Sequence, residues 1–508
     1  MRHHMLLMAM AAVLSGSVGG SVLAQSASTV PKAAATSVPG NLLSGPDGAR
    51  SWTAHGATTS TQPDGVRIVP AVPGPVDAQR SAITVIQGSI YAGTFEERAS
   101  DATTGVTATL SWYDKAGTQL TDETVRSASE KDSADAWTRY TVAGLVPARA
   151  VTVMLGAAFD EAKAGSLHTI RGSALTRRPQ GSAALAGPLI TRGTTIRDAH
   201  GAVVTLRGLN RPGQWDAGQP GGLDERDIDR IKAWGGNVVR LTLGQQKWLP
   251  GCDSYDRTYP QAVDAAVRWI TRRGMLAILD LHFGSPTCRS TGANPLPDER
   301  SLQFWTSVAG RYKSNPLVAF DLYNEPYGVP ADVWKDGGTA RSTTGLDYHA
   351  VGLQQVYDAV RATGANGLVL VSGLDYASTP PGEERLTGRN LVWAVHAYAC
   401  SVPWRCYTSD PREVLGRFSA IARRLPVMVS EFGYPSSRNA SSAAYNARVV
   451  AYAEAQHWSW AAWAWDVHGT CRTGQYFNLL SSTTCATGTG TYQPSPAGVP
   501  VLLGLSRN

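Results

Sequence analysis

Leu276-Ala277-Ile278-Leu279-Asp280-Leu281-His282-Phe283 is an apolar run of strand length that turns polar only towards its end. Its first half shows no apolar/polar alternation, so a strand built from it is buried on both faces, as in a parallel sheet. Residues two apart on a strand share a face, which points Asp280 and His282 the same way. Seven further runs repeat the pattern, at 204–210, 237–243, 318–324, 368–373, 392–398, 427–431 and 460–465. Segments with helical spacing lie between them, at 225–234, 260–273, 302–313, 346–363, 412–424 and 443–456. Eight strands alternating with helices over about 320 residues predict an α/β fold, one closed (β/α)8 barrel rather than an open sheet.

A barrel of this type carries its chemistry at the C-terminal ends of its strands. The polar residues gather there: Arg240, His282, Asn324 with Glu325, His396 with Tyr398, and Glu431, followed by the aromatic Trp465 at the end of the last run. His396 and Tyr398 share a face by the same two-residue spacing. Taken alone, either histidine would more often be a hydrogen-bonded barrel residue, and Trp458, Trp460 and Trp463 are expected in the core.

Upstream, short alternating runs at 89–93, 107–113, 138–142 and 151–157 are separated by Gly, Pro and Asp clusters and predict an antiparallel β-sandwich over 41–177. Linkers of Ala/Ser/Pro and Arg/Pro/Gly character, at 25–40 and 178–188, bound it, leaving 189–508 for the barrel. Arg2, the apolar run from Met5 to Val13 and the small-residue ending Val22-Leu23-Ala24 read as a signal peptide over 1–24, so a secreted protein, extracellular or periplasmic, is expected. No other stretch reaches the 18 apolar residues of a membrane span. The formal charge of +6 is spread over 508 residues without a block of like charges, which argues against a nucleic-acid or membrane partner.

Six cysteines in an exported chain point to three disulfides, although six allow 15 pairings. Spacing favours Cys400–Cys406 and Cys471–Cys485, which leaves Cys252–Cys288. A bridge closing a loop of the Cys471–Cys485 size contributes roughly 3 kcal/mol, less any strain. No Cys-x-x-Cys pair exists, and no metal is expected at the cysteines.

Glu325 and Glu431 end the fourth and seventh predicted strands, which face each other across the barrel. Cleavage of a glycosidic bond requires such a pair, an acid to protonate the leaving oxygen and a carboxylate on the other side of the anomeric carbon. Phe320-Asp321-Leu322-Tyr323-Asn324-Glu325-Pro326 and Val429-Ser430-Glu431-Phe432-Gly433 resemble the acid/base and nucleophile motifs of glycoside hydrolase family 5. The resemblance covers about 320 residues. It implies a retaining hydrolase with Glu325 as acid/base and Glu431 as nucleophile, supported by Arg240, His282, Asn324, His396, Tyr398 and Trp465. It implies no cofactor, and a polysaccharide or oligosaccharide partner of β-glucan or mannan type; a monomer is expected. Leu206 to Gly213, Lys247-Trp248-Leu249 and Leu296 to Arg300 are closer to a subgroup acting on arabinofuranosyl and galactofuranosyl substrates, the alternative expectation. A non-catalytic glycan-binding protein is the alternative of another class. Trp137 to Pro147 and the strand after it resemble the C-terminal half of jelly-roll carbohydrate-binding modules. Ser173-Ala174-Leu175-Thr176 replaces the Asp-rich strand on which such modules often close, which argues against a calcium site there. Trp52, Tyr91, Trp112 and Trp137 are candidates for a sugar platform or for core and docking contacts.

Overall fold

The computed structural model describes residues 40–507 apart from 44, 48–49, 101–103, 213–222, 286–287, 289–292, 403–404, 407–409, 436–438, 467–476 and 482–491. The expected signal peptide and the 471–485 disulfide lie outside the described residues. No helix among the described residues is long and apolar enough to cross a membrane.

Strands between Trp52 and Pro179 form two antiparallel sheets packed face to face. One sheet runs Thr138–Leu145, Ser89–Ala99, His168–Pro179, Gly65–Pro70, Ala57–Gln62. The other is centred on Thr152–Ala162, with Gly74–Arg80 and Gly105–Tyr113 beside it. Trp52, Tyr91 and Trp112 are buried between the sheets, and Arg98 and Arg171 cover the ring of Trp137. None of the four forms an open sugar platform. Near Ser173, the buried Arg80 guanidinium pairs with Asp47, whose carboxylate also accepts from the Ser173 backbone N–H, so a built-in cation accompanies that carboxylate.

The first half of the strand Ser89–Ala99 is buried on both faces for a reason visible in its packing. Tyr91 and Phe95 enter the sandwich core, while Ile90 and Ala92, with Ala143 and Leu145 of the neighbouring strand, join the core of the downstream domain. Gln493 donates to Leu145 O at 2.8 Å and Arg178 donates to Leu503 O at 3.0 Å. Docking against the barrel therefore accounts for apolar residues on the outer face of this sheet.

The second domain is the expected closed parallel barrel. Its strands are β1 (Arg207–Arg211), β2 (Val238–Gly244), β3 (Leu276–Phe283), β4 (Val318–Asp321), β5 (Val369–Ser372), β6 (Leu391–Tyr398), β7 (Val427–Gly433) and β8 (Ser459–Ala462). Each pairs in register with the next, and β8 returns to β1. Val238, Leu276, Ile278, Ala319, Leu370, Ala394, Met428 and Ala461 fill the lower interior with Ile196 of a three-stranded sheet and Leu189 just before its first strand. The upper interior is polar, because two-residue alternation carries Arg240 above Val238 and Asp280 above Ile278.

Two expected helices differ. Asp347–Val351 is not the first part of a helix but pairs with Gly337–Arg341 as a hairpin, and the helix starts at Leu353. The 412–424 helix is broken by a 3-10 turn at Gly416–Phe418, where glycine weakens helix propagation. The helix Glu299–Tyr312 begins on a capping box of Asp298 and Ser301, and Gln245 after β2 bonds both residues.

Candidate active site

Arg240 organises the upper barrel. It is fully buried, and its planar fork reaches five side chains: Asp321 (2.9 Å), Asn210 (3.0 Å), Glu431 Oε1 (2.5 Å), Asn324 (2.8 Å) and Asp280 (3.0 Å). Three buried carboxylates surround one buried guanidinium. Burial pushes Asp280 up to about 7 and Asp321 up to about 6 against the pull of Arg240.

Glu431 sits within β7. Besides Arg240 on Oε1, its Oε2 accepts from the Tyr398 hydroxyl at 2.8 Å. Burial and the neighbouring Glu431 charge hold the Tyr398 phenol well above its ordinary range, so the hydroxyl keeps its proton and donates it.

Glu325 follows β4 and is exposed by 29% at the barrel mouth. Its Oε1 meets His396 Nδ1 at 2.7 Å. Loss of solvation raises its pKa to about 7, opposed by His282 and Arg240. One oxygen of Glu325, one of Glu431 and a ring nitrogen of His396 all lie within 4.8 Å of one another. The two carboxyls thus face each other across one small space. The same three atoms could hold a metal ion.

His282 Nδ1 contacts Asp280 Oδ2 at 2.6 Å, and burial lowers both His282 and His396 to about 4, leaving neutral rings at higher pH. Asn324 Oδ1 accepts from Arg240, which fixes the amide orientation.

Trp465 does not join this group. It is fully buried behind the barrel, against Trp234 and stacked on Tyr492. β8 ends at Ala462, three residues before the expected end, and the half-buried Trp463 takes the mouth position. Its ring lies parallel to His282 at 5.5 Å. Trp463 was expected in the core; the available signal was parity, since it shares a strand face with the inward Ala461. Asn210 and Asp321 are further members that sequence reasoning did not single out. Asn210 pairs in register with Arg240 and also donates to Ser430 O at 2.8 Å.

The Cys252–Cys288 disulfide is formed and ties the loop after β2 to the loop after β3 at this face. Cys400 and Cys406 are register partners in a short two-stranded sheet (Cys400–Val402 and Arg405–Cys406) beyond β6.

A closed parallel barrel with two carboxyls facing each other above strands four and seven defines a class, the barrel O-glycosyl hydrolases. The family profile "Cellulase (glycosyl hydrolase family 5)" matches residues 197–469, more than half of the chain, and the chain belongs to glycosyl hydrolase family 5. It is 26% identical over 299 residues to an endoglucanase of Paenibacillus polymyxa, covering 51% of this chain and 70% of that protein. It is 24% identical over 252 residues to endoglucanase E-5 of Thermobifida fusca, covering 47% of each, so the match spans about half of that relative's length. A variant of the catalytic domain of the Thermobifida fusca endoglucanase Cel5A, solved with cellotetraose, gives a TM-score of 0.48 at 21% identity over 63% of this chain and 97% of that one.

Proposed function

We propose that the chain is a retaining β-glucanase in which Glu431 is the nucleophile and Glu325 the acid/base. One observation carries this reading: carboxylate oxygens of the two residues lie within 4.8 Å of each other. Retention needs carboxyls about 5 Å apart, whereas inversion leaves room for a water at about 6.5–9.5 Å.

In the first step a Glu431 oxygen bonds to the anomeric carbon while the bond to the leaving oxygen breaks, and that oxygen takes the proton of Glu325. In the second, water gives a proton to Glu325 and its oxygen bonds to the anomeric carbon, releasing Glu431. Arg240 and Tyr398 hold Glu431 as a charged, aimed group. With its carbonyl oxygen committed to Arg240, Asn324 presents its NH2 to the sugar 2-hydroxyl. Trp463 forms the floor of the cleaved subsite, a role moved here from Trp465. β-Glucan is assigned from the endoglucanase names of the relatives. The proposal includes export by residues 1–24, a sandwich module over 41–177 joined to the catalytic module over 189–508, and monomeric action.

A 2-deoxy-2-fluoro cellobiosyl fluoride should label Glu431, read by mass spectrometry of the peptide. β-Glucan and aryl cellobiosides should be cleaved by the wild type and not by Glu431→Gln. A label on another residue defeats the nucleophile assignment. Cleavage of aryl arabinofuranosides or galactofuranosides without β-glucan hydrolysis replaces the substrate class with a furanoside.

A further inference from the structure

A second cluster of ionisable groups lies in the sandwich, where the proposed hydrolysis has no use for it. Glu97 and His168 are fully buried and Asp132 nearly so. His168 Nδ1 stands 3.1 Å from Glu97 Oε1 and 3.5 Å from Asp132 Oδ2, and the three ligand atoms lie within 4.8 Å of one another.

Hydrogen bonding fixes the imidazole tautomer. The Ser166 hydroxyl donates its one proton to Lys163 O at 2.8 Å, so its 3.0 Å contact with His168 Nε2 is an N–H donation from the ring. Nε2 therefore carries hydrogen, and in the neutral ring Nδ1 presents a lone pair to two carboxylates. A positive species belongs between them. A doubly protonated ring supplies one, and so does a proton on Glu97. Either arrangement leaves these three side chains with one net negative charge, whereas a divalent cation with a neutral imidazole brings them to neutrality.

Further buried groups point to a ligand. Glu97 Oε2 and the Tyr140 hydroxyl have no hydrogen-bond partner among the described residues, and Tyr140 feels the charges of both Glu97 and Asp132. Tyr140 is 2% exposed, so no bulk water relieves it. The outer arrangement is also that of a metal-ligating histidine, whose second ring nitrogen is fixed by an acceptor.

The geometry points to a structural divalent-metal site of zinc type, with His168 Nδ1, Glu97 and Asp132 as ligands and Tyr140 or the second Glu97 oxygen completing the shell. A tetrahedral ion with bonds near 2.0–2.1 Å separates its ligands by about 3.3 Å, close to the two distances found. Calcium would require six to eight oxygens, which this site does not offer. The metal joins the ends of strands Ser89–Ala99 and His168–Pro179 to the segment carrying Asp132.

The test uses the full chain, stripped with a chelator and titrated with Zn2+ or Ca2+ by calorimetry. One zinc should bind per chain. Asp132→Asn and His168→Gln should weaken it by about a hundredfold or more, Glu431→Gln should not, and calcium should not compete. Zinc lost in Glu431→Gln but kept in the sandwich variants would place it at Glu325, His396 and Glu431 and overturn the proposal. Should the sandwich variants fail to fold, wild-type crystals soaked in zinc decide. An anomalous peak among Glu97, Asp132 and His168 supports the site, and its absence refutes it.

Discussion

If Glu325 is the acid, kcat/KM on an unactivated β-glucan falls above the pH at which that carboxyl loses its proton, and burial sets this point at about 7. At pH 6 about nine-tenths of Glu325 is protonated and at pH 8 about one-tenth, so kcat/KM should drop about tenfold between them. His282 and His396, lowered to about 4, are already neutral throughout that window, whereas Asp280, raised to about 7, titrates inside it and is told apart from Glu325 by the Glu325 variant. Replacing Glu325 with Ala should cost about 10²–10⁴ in kcat/KM on substrates with poor leaving groups, the usual scale of general acid catalysis. A 2,4-dinitrophenyl cellobioside needs no acid in its first step, so with that substrate the variant should lose little kcat/KM and the limb near 7 should vanish. Azide, small enough for the space vacated by the Glu325 side chain, should displace Glu431 from the opposite face of the sugar, accelerate breakdown of the intermediate and give a β-glycosyl azide. The assay is a pH series of initial rates with product analysis by NMR. A limb that stays near 7 in the Ala variant on the activated substrate would assign the ionisation elsewhere and refute the reasoning, as would an α-configured azide.

Other consequences follow from the same contacts. Arg240→Met strands buried Asp280, Asp321 and Glu431, and should destabilise the fold by about 3–5 kcal/mol in urea unfolding; a change near zero would contradict its burial among three carboxylates. Trp463→Ala should raise KM for cello-oligosaccharides with a modest loss of stability, whereas Trp465→Ala should lower stability by about 3–5 kcal/mol and leave KM of the folded fraction near wild type. Equal KM effects would undo the exchange of roles between the two rings. Peptide mapping without reduction should recover Cys252 linked to Cys288, and Cys400 linked to Cys406 because register partners on antiparallel strands lie within disulfide reach. Free thiols at 400 and 406 would remove that second bridge.

Much of the barrel was legible because parallel strands buried on both faces read as apolar runs, and because polar residues interrupt those runs only near their C-terminal ends. Arg240, His282, Asn324, Glu325, His396, Tyr398 and Glu431 follow from that position alone. Trp465 was misplaced because Trp463 and Trp465 have the same parity, and the point where β8 stops is set by contacts of the chain beyond Ala462. The hairpin at 337–351 was hidden because the expected helix of 346–363 begins on residues that pair instead with a glycine-led strand. In the sandwich, Ile90, Ala92, Ala143 and Leu145 break the alternation a half-exposed sheet would show, since they are covered by another domain.

The sequence by itself determined the order of eight strands, the facing of Glu325 and Glu431, and the residue types around them, because alternation along a strand and position in a closed barrel are local and topological facts. Only the tertiary structure decided that Arg240 serves five partners at once, that Trp463 and not Trp465 lines the mouth, and that Glu97, Asp132 and His168 meet in the sandwich. Those depend on side chains distant in the chain converging in space, and burial then sets their charge by removing the water that would otherwise screen it.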